Sequence, residues 1–360
     1  MGIVVITTRR VGIALAAVVL MAALHAKAAD YPAPQEHDFV AHDFRFHTGE
    51  VTPELKLHYT TVGDPKHEAV LVLHGTYGSG DSMLTPAFAG TLFGAGQPLD
   101  ATKYFIILPD AVGSGRSAKP SDGLRTKFPV YDYGDMVQGQ YRVVTEALGV
   151  HHLRLVIGNS MGGMQTWLWG EAYPEMMDAL VPMAAQPTEM SARNWMMRRM
   201  LVESIKQDPA YQGGNYTTQP PSLRLANVMF GIATSGGTLD YQAAAPTSVL
   251  ADKLVDARLA APPPPDANDF IYQWQSSHGF NAAPLLGNIQ AAVLAINSAD
   301  DERNPPETGT LVQAMAQVKN GRIYLIPASA KTSGHGTTSN AGFYAEALRA
   351  FLNAAPHRGM

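Results

Sequence analysis

Six short apolar runs, with helix-length segments between several of them, constrain this chain more than any other feature. They are Ala69–Leu73, Phe105–Leu108, Leu153–Ile157, Ala179–Val181, Val293–Ile296 and Ile323–Ile326. A strand covered on both faces reads as a nearly continuous apolar run, whereas one with a solvent face alternates. Tyr133 to Leu148, closed by Gly149, and Met161 to Ala172, closed by Tyr173-Pro174, have the length and the stops of helices. Strand and helix in alternation predict a doubly wound, mostly parallel α/β sheet. Upstream, Phe39–Phe46 and Leu55–Thr61 alternate apolar and polar residues around His47-Thr48-Gly49-Glu50, the pattern of an antiparallel edge hairpin. A chain of 360 residues can bury most of its surface in one large domain of this kind.

The rhythm breaks between residues 186 and 289, where no strand is evident and Met, Trp, Tyr, Pro and Gly dominate. This interval predicts an inserted helical lid between two parts of the core, residues 30–185 and 290–360. Ala192 to Lys206 reads as one of its helices, carrying Trp195, Met196, Met197, Met200 and Leu201; such a stripe is ordinarily core. Pro262-Pro263-Pro264-Pro265 reads as a stiff extended connector. A lid over the carboxyl ends of the strands would cover the place where such sheets bind ligands.

The first residues follow another logic. Arg9-Arg10, the apolar stretch Val11 to Leu24 and Ala26-Lys27-Ala28 make residues 1–28 an export signal with cleavage after Ala28, and so predict a periplasmic or secreted protein. The apolar stretch is shorter than the roughly 20 residues of a membrane-crossing helix, so no membrane span is expected in the mature chain. The paired arginines also permit the twin-arginine route. The chain has no cysteine, which excludes disulfides, thiolate metal sites and a cysteine nucleophile. A net charge of −5 without basic runs gives no footprint for a nucleic-acid partner.

The strongest chemical signal is Gly158-Asn159-Ser160-Met161-Gly162-Gly163, placed directly after one predicted strand and before a predicted helix. It fits a G-x-S-x-G elbow, which lifts a serine hydroxyl above the sheet and aims a helix N-terminus at the reacting centre. A serine hydroxyl needs a base, and the base needs a partner that fixes its tautomer. His335, in Ser333-Gly334-His335-Gly336 after the last strand, is the candidate base. The acid should leave the strand Val293–Ile296, where Asp300, Asp301 and Glu302 compete; Asp301 is chosen, four residues ahead of Pro305, with Asp300 the alternative. The amides of Met161 and of Thr76, in Leu73-His74-Gly75-Thr76-Tyr77-Gly78, are the candidate oxyanion donors. His74 and Asp110 read as structural partners of their own loops, and His278, inside the lid, as a candidate substrate contact. No phosphate loop and no two-histidine metal spacing occurs, so neither cofactor nor metal is expected.

These segments resemble the homoserine O-acetyltransferase-like group of α/β-hydrolases. The resemblance rests on Gly158 to Gln165 with the helix to Tyr173-Pro174, Asp208-Pro209 with Gly213-Gly214-Asn215-Tyr216, Asp301 through Pro305-Pro306, and Gly334-His335. It implies the α/β-hydrolase fold, Ser160, Asp301 and His335 as a catalytic triad, and a helical lid that can contribute to a homodimer. Two departures from the group's usual text favour hydrolysis over acetyl transfer: Gly158-Asn159-Ser160 in place of Gly-Gly-Ser, and Gly113-Ser114-Gly115-Arg116-Ser117 in place of Gly-Ser-Thr-Gly-Pro. Export points the same way, because acetyl-CoA is absent outside the cell. The expectation is a serine esterase acting on a small ester or similar acyl compound. An O-acyltransferase and a non-catalytic binding protein on the same fold are the alternatives.

Overall fold

The computed structural model describes residues 30–358. The expected export signal, residues 1–28, lies outside the described residues. Eight strands form one sheet: β1 (Gln35–Arg45), β2 (Val51–Val62), β3 (Glu68–Leu73), β4 (Tyr104–Pro109), β5 (Leu153–Asn159), β6 (Met177–Met183), β7 (Ala292–Ser298) and β8 (Gly321–Ile326). Their order is β1-β2-β4-β3-β5-β6-β7-β8. β1 and β2 form the antiparallel hairpin, β2 runs antiparallel to β4, and every later pairing is parallel. The helices are α1 (Ala89–Leu92), α2 (Tyr133–Arg142), α3 (Met161–Ala172), α4 (Ala192–Lys206), α5 (Ser222–Thr234), α6 (Thr238–Ala244), α7 (Ser248–Ala260), α8 (Ala267–Gln275), α9 (Thr310–Met315) and α10 (Ala345–Ala354).

Successive residues of β3 enter different cores. Val70 and Val72 join one apolar cluster with Leu155, Ile157 and Val181; Leu71 and Leu73 join the other with Val156, Leu180 and Val293. Alternating side chains that are all apolar thus bury both faces of the sheet, the physical content of the unbroken apolar runs. β8 departs from that expectation. It has a single neighbour, and Ile323 and Leu325 are 37% and 44% exposed, so its apolar run belongs to an edge strand.

Helix α3 is buried nearly all round, with Trp167 and Trp169 fully enclosed. The Trp169 Nε1–H donates to Gln140 Oε1 at 2.9 Å, and Gln140 Nε2 donates to Gln165 Oε1 at 2.7 Å. The tryptophan and glutamine groups that α3 carries into the core are therefore partnered there, which removes the cost of burying them. Helix α2 starts with a capping box in which Asp132 and Asp135 each accept from the other's amide.

Between β6 and β7 come α4 to α8, which have a small core of their own including Leu201, Ile205, Leu223, Phe270 and Trp274. The Met stripe of α4 does not behave as one core face. Leu201 and Ile205 are buried, whereas Met196 and Met200 are 67% and 64% exposed, because they point away from α5 and α8. Among the described residues no helix is long and apolar enough to cross a membrane.

Candidate active site

Ser160 stands between the end of β5 and the start of α3 with φ 54° and ψ −111°. A side-chain-bearing residue in that region stores roughly 1–3 kcal/mol of strain, which the surrounding packing must hold. Glycines hold it. A Cβ on Gly162 would lie 2.2 Å from the carbonyl oxygen of Leu73, and one on Gly163 would lie 2.5 Å from that of Met183. Helix α3 can therefore press against the ends of β3 and β6, and the Ser160 amide closes the turn by donating to Met183 O at 2.8 Å.

The loops after β7 and β8 bring the other two candidate residues to this point. His335 Nδ1 lies 3.0 and 3.1 Å from the two carboxylate oxygens of Asp301, and His335 Nε2 lies 2.8 Å from Ser160 Oγ. A carboxylate only accepts, so the proton sits on Nδ1 and Nε2 is free to accept from the serine hydroxyl. All three residues are buried. Burial works against ionisation of Asp301, but the adjacent imidazole and the hydrogen bonds from His335 and Asn304 outweigh it and hold the carboxyl below its usual range. Burial also pushes the His335 pKa below the ordinary imidazole value; Asp301 pulls it up, while Arg303 and Arg198 push it down again. A neutral imidazole facing a hydroxyl can take its proton as that oxygen attacks an electrophile.

Asp300 is turned elsewhere: its carboxylate accepts from the hydroxyls of Ser298 and, at 2.7 Å, Thr332. Glu302 accepts from the amides of Gly237, at 2.7 Å, and His335, at 3.1 Å, and so ties the insertion to the histidine loop. Thr76 lines the cavity beside Ser160, and among the described residues its amide has no acceptor. Met161 opens α3, so its N–H has no acceptor within the helix. His74 is buried in its own loop, with Nδ1 donating to Gly75 O at 2.8 Å and Nε2 accepting from Ala111 N at 3.0 Å. Asp110 accepts from the amides of Gly80 and Arg116, as a residue that ties down a turn does. His278 is not brought to the site; it is exposed and packs edge-on against Trp195.

Several residues at the site had no motif to announce them. Asn304 Nδ2 donates to Asp301 Oδ2 at 3.0 Å and to Ala184 O at 2.8 Å, fixing the carboxylate relative to the sheet. Asn159, in the elbow, is bonded by Thr338 and bonds Ser339, which gives this departure from the Gly-Gly-Ser pattern a place in holding the histidine loop. Gln273 of α8 accepts from the Tyr77 amide at 2.8 Å and donates to Gly113 O at 2.6 Å, joining the insertion to two core loops. Phe230, Phe270, Trp274 and Arg303 wall a cavity of about 260 Å³ over Ser160. Among the described residues two groups of side chains carry metal-type ligands, His47 with Asp132 and Asp135, and Glu68 with Asp178 and His357. Neither lines that cavity, and Asp135 and Asp178 are already bonded to His47 and to Arg154 with His152.

The family model described as the alpha/beta hydrolase fold matches residues 68–314. A probable acyltransferase of Methanothermobacter thermautotrophicus is 27% identical over 87% of this chain and 96% of its own. The homoserine O-acetyltransferase of Solidesulfovibrio magneticus is 35% identical over 50% of this chain and 49% of its own, so the chain matches about half the length of that relative. The crystal structure of homoserine O-acetyltransferase from Bacillus anthracis superposes with a TM-score of 0.77 at 22% identity, over 89% of this chain and 98% of that one. That of an acetylester hydrolase from Corynebacterium glutamicum gives 0.76 at 22% identity, over 89% and 96%. The similarity to homoserine O-acetyltransferases thus extends well beyond the elbow, and the chain belongs to the alpha/beta hydrolase fold family.

Proposed function

We propose that this protein is a serine esterase that cleaves a small carboxylic ester, or similar acyl compound, through an acyl-enzyme. The observation that carries the reading is the buried line from Ser160 through His335 to Asp301, with contacts of 2.8 and 3.0 Å, at a cavity that Ser160 and His335 line. Ser160 Oγ bonds to the acyl carbon as its proton passes to His335, and the amides of Met161 and Thr76 receive the oxyanion. The ester C–O bond then breaks and the leaving alcohol takes the proton from His335. Water then adds its hydroxyl to the acyl carbon as its proton passes to His335, the bond from Ser160 Oγ to that carbon breaks, and Ser160 takes the proton back from His335. Neither step calls on a cofactor or a metal.

Transfer of the acyl group to a hydroxyl acceptor uses the same acyl-enzyme, and the likeness to homoserine O-acetyltransferases favours it as the second reading. The likeness to an acetylester hydrolase, the altered elbow and the export signal read from residues 1–28 support water as the acceptor and a periplasmic or secreted location. Turnover of short-chain 4-nitrophenyl esters by the purified protein, with and without an acceptor alcohol and acetyl-CoA, separates the two. Cleavage lost in Ser160→Ala and indifferent to acceptor is expected; consumption of acetyl-CoA only when an acceptor is present would replace hydrolysis by transfer. A homodimer through the insertion is part of the proposal, resting on the exposed Met196 and Met200 of α4 and Leu225 and Met229 of α5. Sedimentation of the intact protein beside Met200→Glu tests it.

A further inference from the structure

Arg303 and Arg198 both act electrostatically on His335, and the proposed mechanism leaves both unused. Arg303 lines the cavity, its guanidinium carbon 4.6 Å from the Phe230 ring centre and 5.6 Å from that of Trp274. Its Nε donates to the carbonyl and the hydroxyl of Thr234 at 3.2 and 3.1 Å, and among the described residues its two terminal nitrogens have no acceptor. Arg198, buried behind the same Trp274 at 4.8 Å, spends its donors on Asn194 and Ser277. Neither arginine is ion-paired among the described residues, because the two nearby carboxylates are committed elsewhere. Asp301 is held by His335 and Asn304, and Glu302 by two backbone amides.

Two more unpartnered polar groups belong to residues that line the same cavity. The Nε1–H of Trp274 and the hydroxyl of Thr76 are buried and, among the described residues, without a partner, and both residues line the cavity. A second cavity of about 480 Å³ adjoins the first through Asn227, Gly231 and Gly336. It is lined by Arg224 and Arg258, whose bonds go to Leu259 O and the Tyr241 hydroxyl rather than to carboxylates. The one acid on its wall, Asp240, accepts from Ser333. Burial, with Arg198 adding to it, pushes the Arg303 pKa down to about 9, which leaves the guanidinium charged at neutral pH. An approach lined with unpaired arginines, ending at buried donors that lack acceptors, matches a ligand that is negatively charged and only accepts.

We propose that the natural substrate is an ester carrying a carboxylate of its own, which is held by the free edge of the Arg303 guanidinium beside Trp274 while the ester carbonyl lies over Ser160. The proposal rests on the esterase reading above and names its substrate class. The inner cavity of about 260 Å³ limits the part held there to a small group, in keeping with a short acyl or alkoxy chain ending in the carboxylate.

Two pairs of substrates test this and separate the two possible positions of the charge. Monoethyl succinate against diethyl succinate places the carboxylate on the acyl side; 4-acetoxybutyrate against its methyl ester places it on the alcohol side. The expected result is a kcat/KM at least about tenfold higher for the anionic member of one pair. That preference should collapse in Arg303→Leu and recover in part in Arg303→Lys. Equal or lower kcat/KM for the anionic members of both pairs, or a preference unchanged in Arg303→Leu, overturns the proposal. Calorimetric binding of succinate against succinamide to Ser160→Ala keeps the test independent of turnover. Preferential succinate binding with no ester cleavage would sink the esterase reading alone, and equal binding would sink the carboxylate site. Should Arg303→Leu not fold, the comparisons made on the protein with Arg303 intact still decide.

Discussion

Replacing Asp301 by Asn tests the proposed mechanism at one atom. Asp301 Oδ1 accepts from the amides of Arg303 at 2.8 Å and Asn304 at 3.0 Å, so an oxygen must remain at that position. The NH₂ of the new amide then falls where Oδ2 was, facing Asn304 Nδ2, itself a donor, at 3.0 Å. It also faces His335 Nδ1, 3.1 Å from the same site. The imidazole relieves this by moving its proton to Nε2 and accepting at Nδ1, and Ser160 then faces a donor instead of a base. Loss of a correctly oriented base in such a triad lowers kcat by about 10³–10⁴-fold, or roughly 4–5.5 kcal/mol at the transition state. The opposed donors in a buried site cost on the order of 1–3 kcal/mol of stability as well. Ester hydrolysis at saturating substrate, beside thermal unfolding of the same sample, reads both quantities. Asp300→Asn is the comparison, since Asp300 binds two hydroxyls away from the ring and its loss should change kcat by less than about tenfold. A folded Asp301→Asn within tenfold of the parent, or an equal loss in Asp300→Asn, would refute the assignment of the acid.

Three further outcomes follow from the same structure. Gly162→Ala should unfold the elbow or abolish expression, because its Cβ meets only backbone of Leu73 and His74 at 2.2–2.8 Å; Gly231→Ala, in α5 with open space around it, should raise stability by roughly 0.5–1 kcal/mol, and an unfolding curve for each checks the contrast. The acid limb of kcat/KM should lie below the ordinary histidine value of about 6.5, since burial lowers the pKa of His335 and only the neutral ring accepts a proton; a limb at or above that value contradicts the account. Burial pushes the Glu171 carboxyl up to about 8 and leaves its Oε1 unpartnered, so the folded state binds the proton more tightly than the unfolded chain. That group's contribution is fully present below about 4.5 and is lost as pH rises toward 8; Glu171→Gln should raise the unfolding midpoint at pH 8 and leave it nearly unchanged at pH 4.5, and equal midpoints at pH 8 would show the carboxylate to be solvated.

The parts of this protein that were legible in its sequence are those whose chemistry is local. Ala69–Leu73 and Leu153–Ile157 announced buried strands because an apolar run has no solvent face to offer, and Gly158 to Gly163 announced the elbow because the tight turn and the close approach of α3 demand small residues at set positions. The order of serine, acid and histidine likewise follows from which strand ends precede which loops. Other features depended on partners distant in the chain. Asp300 and Asp301 are adjacent and chemically alike, and they part only because Ser298 and Thr332 engage one while Asn304 and His335 engage the other. Ile323 and Leu325 carry the same apolar pattern as a central strand yet stay exposed, since among the described residues no strand pairs beyond β8. Met196 and Met200 share a helical stripe with Leu201, and only the packing of α5 and α8 decides which side is covered. Arg198 and Arg303, 105 positions apart, meet over one tryptophan without a carboxylate between them. The sequence alone therefore determined the sheet, the elbow and the residue types available for chemistry, because these follow from near-neighbour sterics and burial. Which carboxylate turns to the histidine, which apolar faces stay in water and where unpaired charge gathers were decided by the tertiary structure, because each depends on contacts between segments far apart in the chain.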